Sequence, residues 1–227
     1  GTKAEGTILQ RQFSTFVGRY PTATRSGLTV GEFACLINET EKIGCDLTVI
    51  PCEGWHRDMD FDDTDLCFIQ PSPNLPSVDT AYSYIGTCIF EGTNISEGRG
   101  TTKPFEVIGA PWVDVRALLE ILGEQPGVYL REAYFTPTFS KHAGQLCRGV
   151  QLHIHDRAAY CPFTVGLRLF CALRRLHPAE TQTRSFITNL LGTDDVLRPD
   201  FEPEAFIVRE AEKVAAWQEM TKAYYLY

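Results

Sequence analysis

The densest group of polar side chains in this 227-residue chain is a glycine-spaced stretch, the Glu91–Thr102 segment. It contains two carboxylates, a guanidinium, an amide and four hydroxyls, separated by Gly92, Gly98 and Gly100. Glycine allows positive φ and a close approach of the backbone, so such a segment can wrap a polar ligand. Nucleotide binding is not favoured, because neither the Gly-Lys-Ser/Thr phosphate loop nor the Gly-x-Gly-x-x-Gly pattern is present.

Glu91 and Glu97 are the carboxylates of this segment that could carry out acid–base chemistry. Most glycosidases place two carboxyl groups beside the scissile bond, one as the acid and one as the base or nucleophile. Both residues are therefore candidates for a catalytic pair. The alternative is structural: Arg99 pairs with one of these carboxylates, while Asn94 and Ser96 satisfy turns. An irregular loop does not fix the separation of its side chains, so the sequence leaves both interpretations open.

Two arginines are candidates for binding a carboxylate on a ligand. Arg99 lies within the segment and Arg57 follows Trp55 in an earlier loop. A guanidinium binds a carboxylate through two parallel, charge-assisted hydrogen bonds. Muramic acid carries such a carboxylate on its lactyl arm. Trp55 could stack on a sugar, although a single Trp after a strand is more typical of a core.

Two further clusters invite a metal-binding interpretation that the sequence does not favour. His153 and His155 share one strand face with Gln151, since side chains alternate along a strand, but a third ligand is missing. The acidic run over residues 58–65 lacks the central Gly and terminal Glu of an EF-hand loop. We expect ordinary hydrogen-bonded histidines, a solvated acidic loop, and no metal.

Composition excludes several classes of protein. The formal net charge is -8 and no window is rich in Lys and Arg, so nucleic acid is not an expected partner. No apolar run approaches the roughly 18 to 20 residues needed to cross a bilayer. The Gly-x-Ser-x-Gly elbow of α/β-hydrolase esterases is absent. The eight cysteines form no Cys-x-x-Cys pair, and we expect mostly buried free thiols.

The pattern of apolar residues predicts an α/β or α+β domain built around a mixed β-sheet with flanking helices. Strands are predicted over 46–51, 86–90, 105–109, 128–135 and 149–155. Helices are predicted over 29–39, 77–84, 113–122, 163–176, 182–191 and 203–222. Residues 52–104 are dense in Gly, Pro, Asn and Ser. A loop of that length inside a compact domain usually builds a site.

Several ordered segments of the chain resemble the NamZ-type exo-β-N-acetylmuramidases, bacterial peptidoglycan glycosidases formerly classed as a domain of unknown function. The longest is the seventeen-residue stretch from Gly86 to Thr102, which is highly specific. The others are Ser14-Thr-Phe-Val-Gly18, Gly27-Leu-Thr-Val-Gly-Glu-Phe-Ala34, Gly54-Trp-His-Arg57, Pro71-Ser-Pro-Asn-Leu-Pro76, Pro104-Phe-Glu-Val-Ile-Gly-Ala-Pro-Trp112, Cys147-Arg-Gly-Val-Gln-Leu-His153 and Tyr225-Leu-Tyr227.

The resemblance implies a two-domain hydrolase with its cleft between a Rossmann-like N-terminal domain and a C-terminal α/β domain. Residues 1–227 are expected to form the C-terminal domain alone. The family's Gly-Pro-Glu-His-Gly motif has no counterpart in this chain. The upstream Rossmann-like domain is therefore an expected partner that supplies the main catalytic glutamate.

The implied reaction removes N-acetylmuramic acid from the non-reducing ends of peptidoglycan fragments, outside the cytoplasm and without a cofactor. Glu91 and Glu97 are expected to position charge or to act directly in catalysis. The residues expected to bind the amino sugar are Asn94, Ser96, Arg99, Thr101, Arg57, Asn74 and Ser72. The alternative functions are a non-catalytic carbohydrate-binding module and an interaction domain with a structural glycine-rich loop.

Overall fold

The computed structural model describes residues 1–227. Its strands are β1 (Glu5–Ile8), β2 (Ala23–Arg25), β3 (Val107–Ala110), β4 (Val128–Phe135) and β5 (Cys147–Ile154). Its helices are α1 (Val30–Thr40), α2 (Val78–Thr87), α3 (Val115–Leu122), α4 (Pro162–Leu176), α5 (Phe186–Leu191) and α6 (Pro203–Thr221). Short 3₁₀ turns follow several of them, including one over Cys88–Gly92 directly after α2.

The larger sheet has three strands in the order β3–β5–β4, and each neighbouring pair is antiparallel. β4 and β5 pair along their full lengths, from Val128 opposite Ile154 to Phe135 opposite Cys147. β1 and β2 form a separate antiparallel pair. The combination of helices and strands is confirmed, but the expected mixed sheet is wrong, because no pair is parallel. α3 and α4 pack on the core face of the sheet, and no helix links parallel strands.

The main core lies between that sheet and α4. α4 buries residues around most of its circumference, as expected for a helix that is apolar on nearly every side. α2 crosses α4 at two glycines. A Cβ atom on Gly86 would overlap the carbonyl oxygen of Pro162, and one on Gly166 would overlap the backbone of Gly86. The two helices can therefore approach this closely only because both positions lack a side chain.

The helix predicted over 29–39 is confirmed as α1, and its N-terminus has the predicted capping box. The Thr29 hydroxyl accepts from the amide of Glu32, and the Glu32 carboxylate accepts from the amide of Thr29. These two bonds satisfy backbone donors that the first turn of a helix leaves free. Most other predicted helices also occur, with ends shifted by a few residues.

Two predicted strands are wrong. Residues 86–90 continue α2 and enter the 3₁₀ turn, because capping by Ser77 and the contact with α4 favour helix there. Residues 46–51 have no regular structure and are mostly exposed; Ile50 is 88% exposed. A strand requires a neighbour that satisfies its backbone, and no other segment of the chain pairs with this one.

The first 79 residues pack against the C-terminal part of the chain. β1 lies along α6, and a second small core joins Ala23 and Leu36 to Val214 and Trp217 of α6. The indole Nε1 of Trp217 donates to the carbonyl of Ser26 at 3.0 Å. The N-terminal segment is thereby fixed as one wall of the groove described next.

Candidate active site

A groove of about 340 Å³ separates the β1–β2 pair from the end of α2 and from α5. One wall comes from the N-terminal segment and includes Thr7, Leu9, Thr22 and Thr24. The opposite wall includes Tyr84, Cys88, Glu91, Phe186 and Asn189. Glu91 is the one acidic residue in this lining, so the groove contains one of the two predicted catalytic carboxylates.

The position of Glu91 is set by the 3₁₀ turn Cys88–Gly92. The turn rests directly on α5, because a Cβ atom on Gly92 would lie 2.6 Å from the Cα of Ile187. The Glu91 side chain is 21% exposed and its Oε1 contacts Nη2 of Arg99 at 2.6 Å. Its second oxygen makes no hydrogen bond within the chain.

Arg99 bridges the two predicted catalytic glutamates. Its Nη2 holds Glu91, and its Nε lies 3.2 Å from Oε1 of Glu97. The guanidinium also lies over the ring of Phe105, with 5.0 Å between Cζ and the ring centroid. The guanidinium predicted to bind a ligand carboxylate is thus already engaged by two carboxylates of the chain itself.

Glu97 is enclosed: its side chain is only 3% exposed. Its second oxygen contacts Nζ of Lys141 at 2.7 Å, and the same ammonium donates to the carbonyls of Phe90 and Ile95. Burial lowers the pKa of Lys141, although the adjacent Glu97 carboxylate opposes that change. Both Glu97 oxygens are occupied by cations, so the arrangement favours a structural role over contact with a sugar.

Sequence reasoning missed Lys141, which lies 44 residues from Glu97 along the chain. It follows Phe139 and Ser140 in the connection between β4 and β5, where no motif marks it. Only the folded chain brings it beneath the Glu91–Thr102 segment. There it holds Ile95 and Glu97 of the segment, and Phe90 directly before it.

The other polar side chains of the segment bond to the protein. Asn94 donates to the carbonyl of Glu180 at 2.8 Å and accepts from the amide of Gln182 at 2.9 Å. The Ser96 hydroxyl accepts from the amide of Gly98, and the Thr101 hydroxyl donates to the carbonyl of Gly98. The Ser96 bond is a turn-satisfying contact as in the structural alternative, whereas Asn94 instead joins the segment to a distant part of the chain. A role in sugar binding remains a prediction for all three.

The glycines of the segment serve packing within the chain. Gly98 and Gly100 adopt φ of +80° and +84°, which disfavours other residues. A Cβ atom on Gly100 would lie 2.6 Å from the carbonyl oxygen of Phe139. The backbone here approaches another loop of the protein, whereas the sequence suggested the approach of a ligand.

Tyr84 and Cys88 flank Glu91 in the groove. Burial raises the pKa of Tyr84 to about 12, and burial together with the Glu91 charge raises the pKa of Cys88 to about 12. Both groups are therefore neutral at pH 7. Because a thiolate is the nucleophilic form of cysteine, the Cys88 thiol is a poor nucleophile. The Cys88 thiol donates to the carbonyl of Ile85, whereas the Tyr84 hydroxyl forms no hydrogen bond within the chain.

Arg57 is not among the residues that line the groove, and its side chain contacts other residues of the chain. Its guanidinium bonds the buried Glu32 carboxylate and the carbonyl of Gly27, and it lies 3.6 Å from the ring centroid of Tyr225. Trp55 makes an edge-on contact with Tyr227 at 4.8 Å. The expectation that Arg57 contacts the same ligand as Glu91 is not supported by this placement.

Ser72 and Asn74 also lie outside the groove lining. They form a turn before α2, in which the amide of Leu75 donates to the carbonyl of Ser72 at 2.9 Å. Both are partly exposed. The fold therefore groups Glu91, Glu97 and Arg99 with Asn94, Ser96 and Thr101, and it separates Arg57, Ser72 and Asn74 from them.

Two aspartates of the acidic run, together with Asp79 of α2, form ion pairs with Arg157. Asp60 and Asp62 bind Nη1 of Arg157 at 3.0 and 2.6 Å, and Asp79 binds its Nη2 at 2.8 Å. Burial alone would raise the pKa of Asp60, but bonds from Tyr82 and Arg157 outweigh it and the pKa is lowered. No group of three or more His, Cys, Asp or Glu is arranged to hold a metal ion.

The cysteines form no disulfide bonds, and the helices include no membrane span. All eight cysteines are free, and Cys45, Cys52, Cys67 and Cys161 are exposed, so the expectation of burial fails for these four. No helix combines the length and apolarity that crossing a lipid bilayer would require.

Comparison with known proteins defines the class. Residues 82–227 match the family described as exo-β-N-acetylmuramidase NamZ, C-terminal, and residues 1–79 match exo-β-N-acetylmuramidase NamZ, N-terminal. The chain therefore belongs to the NamZ family, as its motifs indicated. The two regions meet inside α2, and the groove has lining residues from both. The expectation that the whole chain belongs to the C-terminal domain is not confirmed.

Individual relatives agree with this assignment. The peptidoglycan β-N-acetylmuramidase NamZ of Bacillus subtilis (strain 168) is 49% identical over 182 residues, which is 79% of this chain and 44% of that protein. The chain thus spans less than half of the curated relative that it matches. Two crystal structures of DUF1343 family proteins from Bacteroides fragilis NCTC 9343 superpose with TM-scores of 0.91 and 0.75. They are 26% and 28% identical, and the match covers all of this chain and 63% of each.

Proposed function

We propose that this chain forms part of a glycoside hydrolase that releases N-acetylmuramic acid from the non-reducing ends of peptidoglycan fragments. The observation that carries the proposal is the 49% identity to a protein named peptidoglycan β-N-acetylmuramidase. A groove that holds a carboxylate with one unpaired oxygen supports it further. No cofactor is part of the proposal.

Within this function we assign Glu91 to the substrate. A glycosidase needs carboxylates placed beside the scissile bond, and Glu91 has an oxygen available to the groove. Arg99 and, behind it, Glu97 and Lys141 hold Glu91 in position. Glu91 then binds or orients the sugar, and the main acid comes from the upstream domain that carries the Gly-Pro-Glu-His-Gly motif.

We further propose that this upstream domain covers the exposed apolar residues of the N-terminal segment. Unpartnered apolar side chains of this kind mark interaction surfaces. They are Ile43, Leu47, Ile50, Leu66 and Ile69. A substrate that lies outside the cytoplasmic membrane also requires export, so we propose a periplasmic or secreted location.

A chromogenic N-acetylmuramic acid glycoside tests the assignment in the full-length protein. We expect Glu91→Gln to reduce kcat/KM at least about a hundredfold, because the amide keeps the shape of the side chain but removes its charge. Glu212→Gln, on the exposed side of α6, is the matched control and should leave kcat/KM unchanged.

Circular dichroism and the unfolding midpoint verify that both variants fold. Full activity of a folded Glu91→Gln protein would show that Glu91 is structural. If the wild-type protein binds amino sugars without any turnover, the non-catalytic binding module replaces the hydrolase.

A further inference from the structure

The face of the three-stranded sheet opposite the main core is exposed at one end, and there it carries a group of side chains that the proposed reaction does not use. We call it the outer-face cluster, and its members are Tyr129, Arg131, Gln151, His153 and His155. Tyr129 lies directly opposite His153 across the β4–β5 ladder, and Arg131 lies opposite Gln151. The intervening residues of the two strands form an alternate set on the other side of the sheet, where Leu130 and Leu152 face the core.

Contacts within the cluster hold these side chains in place. The rings of Tyr129 and His155 stack with centroids 4.2 Å apart and an interplanar angle of 27°. Nη2 of Arg131 donates to Oε1 of Gln151 at 2.8 Å, and its Nε donates to Nε2 of His153 at 3.4 Å. Side chains held on strands form a more exact site than side chains on loops.

The cluster is positively charged and open to ligand. Arg131 forms no ion pair with any carboxylate of the chain, although the net charge is -8. Tyr129 is 66% exposed, and stacking on His155 covers only one face of its ring. An aromatic ring and a free cation therefore lie side by side, about 7 Å apart along the strand.

We propose that the outer-face cluster binds the anionic glycan strand of peptidoglycan, at a surface separate from the Glu91 groove. The choice of glycan rests on the proposed function. The free face of Tyr129 stacks on the apolar face of a sugar ring, and Arg131 binds the lactyl carboxylate of a neighbouring muramic acid whose stem peptide has been removed. Gln151 and His153 offer hydrogen bonds to hydroxyl and amide groups. Such a surface holds the enzyme on its polymer between cleavage events.

Cosedimentation of the full-length protein with beads that carry peptidoglycan glycan strands, freed of their stem peptides by an amidase, tests this surface. The Glu91→Gln background keeps the polymer intact during the measurement. We expect Tyr129→Ala and Arg131→Gln each to weaken binding about tenfold or more, because each removes a principal contact. Tyr134→Ala and Arg148→Gln are the matched controls, since both residues are exposed on the same two strands but belong to the alternate set. Both controls should bind like the parent protein.

Chitin, which has the same backbone linkage without the lactyl carboxylate, separates stacking from charge. Tyr129→Ala should weaken binding to both polymers, whereas Arg131→Gln should weaken binding to the peptide-free glycan strands alone. Unchanged binding in both variants, or equal losses in the controls, overturns the proposal. Failure of the proposed function would appear separately, as absence of turnover of the small chromogenic glycoside by the wild-type protein.

Discussion

The ammonium of Lys141 lies among three oxygen atoms, two from backbone carbonyls and one from Glu97. Those carbonyls belong to Phe90 and Ile95, so the lysine fastens the backbone on both sides of Glu91. Arg99 then connects the buried Glu97 to the partly exposed Glu91. At the scale of single residues, the candidate site is a chain of alternating charges whose outermost member reaches the groove.

Removing Lys141 should therefore destabilise the protein strongly. Lys141→Met leaves the Glu97 carboxylate buried with half of its contacts, and loss of one partner of a buried pair costs about 3–5 kcal/mol. Urea unfolding measures the effect. Lys222→Met removes an exposed pair with Glu219 and should cost less than about 1 kcal/mol. Adding Glu97→Gln to Lys141→Met should recover part of the loss; additive losses would mean that the two groups are uncoupled.

α2 delivers Glu91 to the groove because its last turn is fixed against α4. The contact depends on Gly86 and Gly166, where any side chain would meet the backbone of the other helix. The 3₁₀ turn that follows is fixed in the same way by Gly92 against α5. At the scale of elements, three glycines set the position of one carboxylate.

We expect Gly86→Ala to destabilise the protein by about 1–3 kcal/mol or more, because the added methyl group has no space. Gly31→Ala is the control: it also lies in a helix, and its new methyl group would meet only the side chain of Val49. Alanine is favoured over glycine in a helix by roughly 0.5–1 kcal/mol, which offsets that smaller clash. Thermal unfolding compares the two variants; equal midpoints would contradict the role assigned to the crossing.

The N-terminal and C-terminal parts of the molecule are joined at two polar points, one buried around Glu32 and one partly exposed around Arg157. Glu32 is fully buried and accepts from Arg57, from its own helix cap and from the amide of Leu226 near the C-terminus. Arg157 binds three aspartates of the N-terminal part. Both points therefore tie residues of the N-terminal part to distant residues of the C-terminal part.

Acid should loosen this connection. Burial alone would raise the pKa of Glu32, but the hydrogen bonds from Leu226, Thr29 and Arg57 outweigh it and the pKa lies below its ordinary value of 4.5. A carboxyl group with a lowered pKa stabilises the fold above its unfolded-state pKa, and that contribution disappears as pH falls through the folded-state value. We expect the urea concentration at the unfolding midpoint of the wild-type protein to decrease as the pH is lowered from about 5 to 3.

Glu32→Gln provides the comparison for this effect. It should be less stable than the wild-type protein at pH 7, because the amide cannot replace a carboxylate that accepts from three groups. Its stability should also change less between pH 5 and 3. Parallel pH profiles for the two proteins would show that other carboxylates dominate acid unfolding.

Local patterns in the sequence predicted most of the regular structure. The capping box before α1, the alternation in β4 and β5 and the apolar pattern of α4 each depend on neighbours within one turn or one strand. Residues 86–90 were misassigned, because a short apolar run is compatible with either strand or helix and the contact with α4 decides between them. Residues 46–51 lack a partner strand, which no local pattern could reveal.

The sequence by itself determined the family, through long ordered motifs, and it identified Glu91 and its neighbours as the segment to examine. Tertiary structure alone decided which polar groups of that segment remain available. Asn94, Ser96 and Glu97 bond to residues far along the chain or to their own backbone, whereas one oxygen of Glu91 stays free. The physical reason is that motifs record side-chain chemistry, while the partners that occupy those side chains are brought together only by long-range folding.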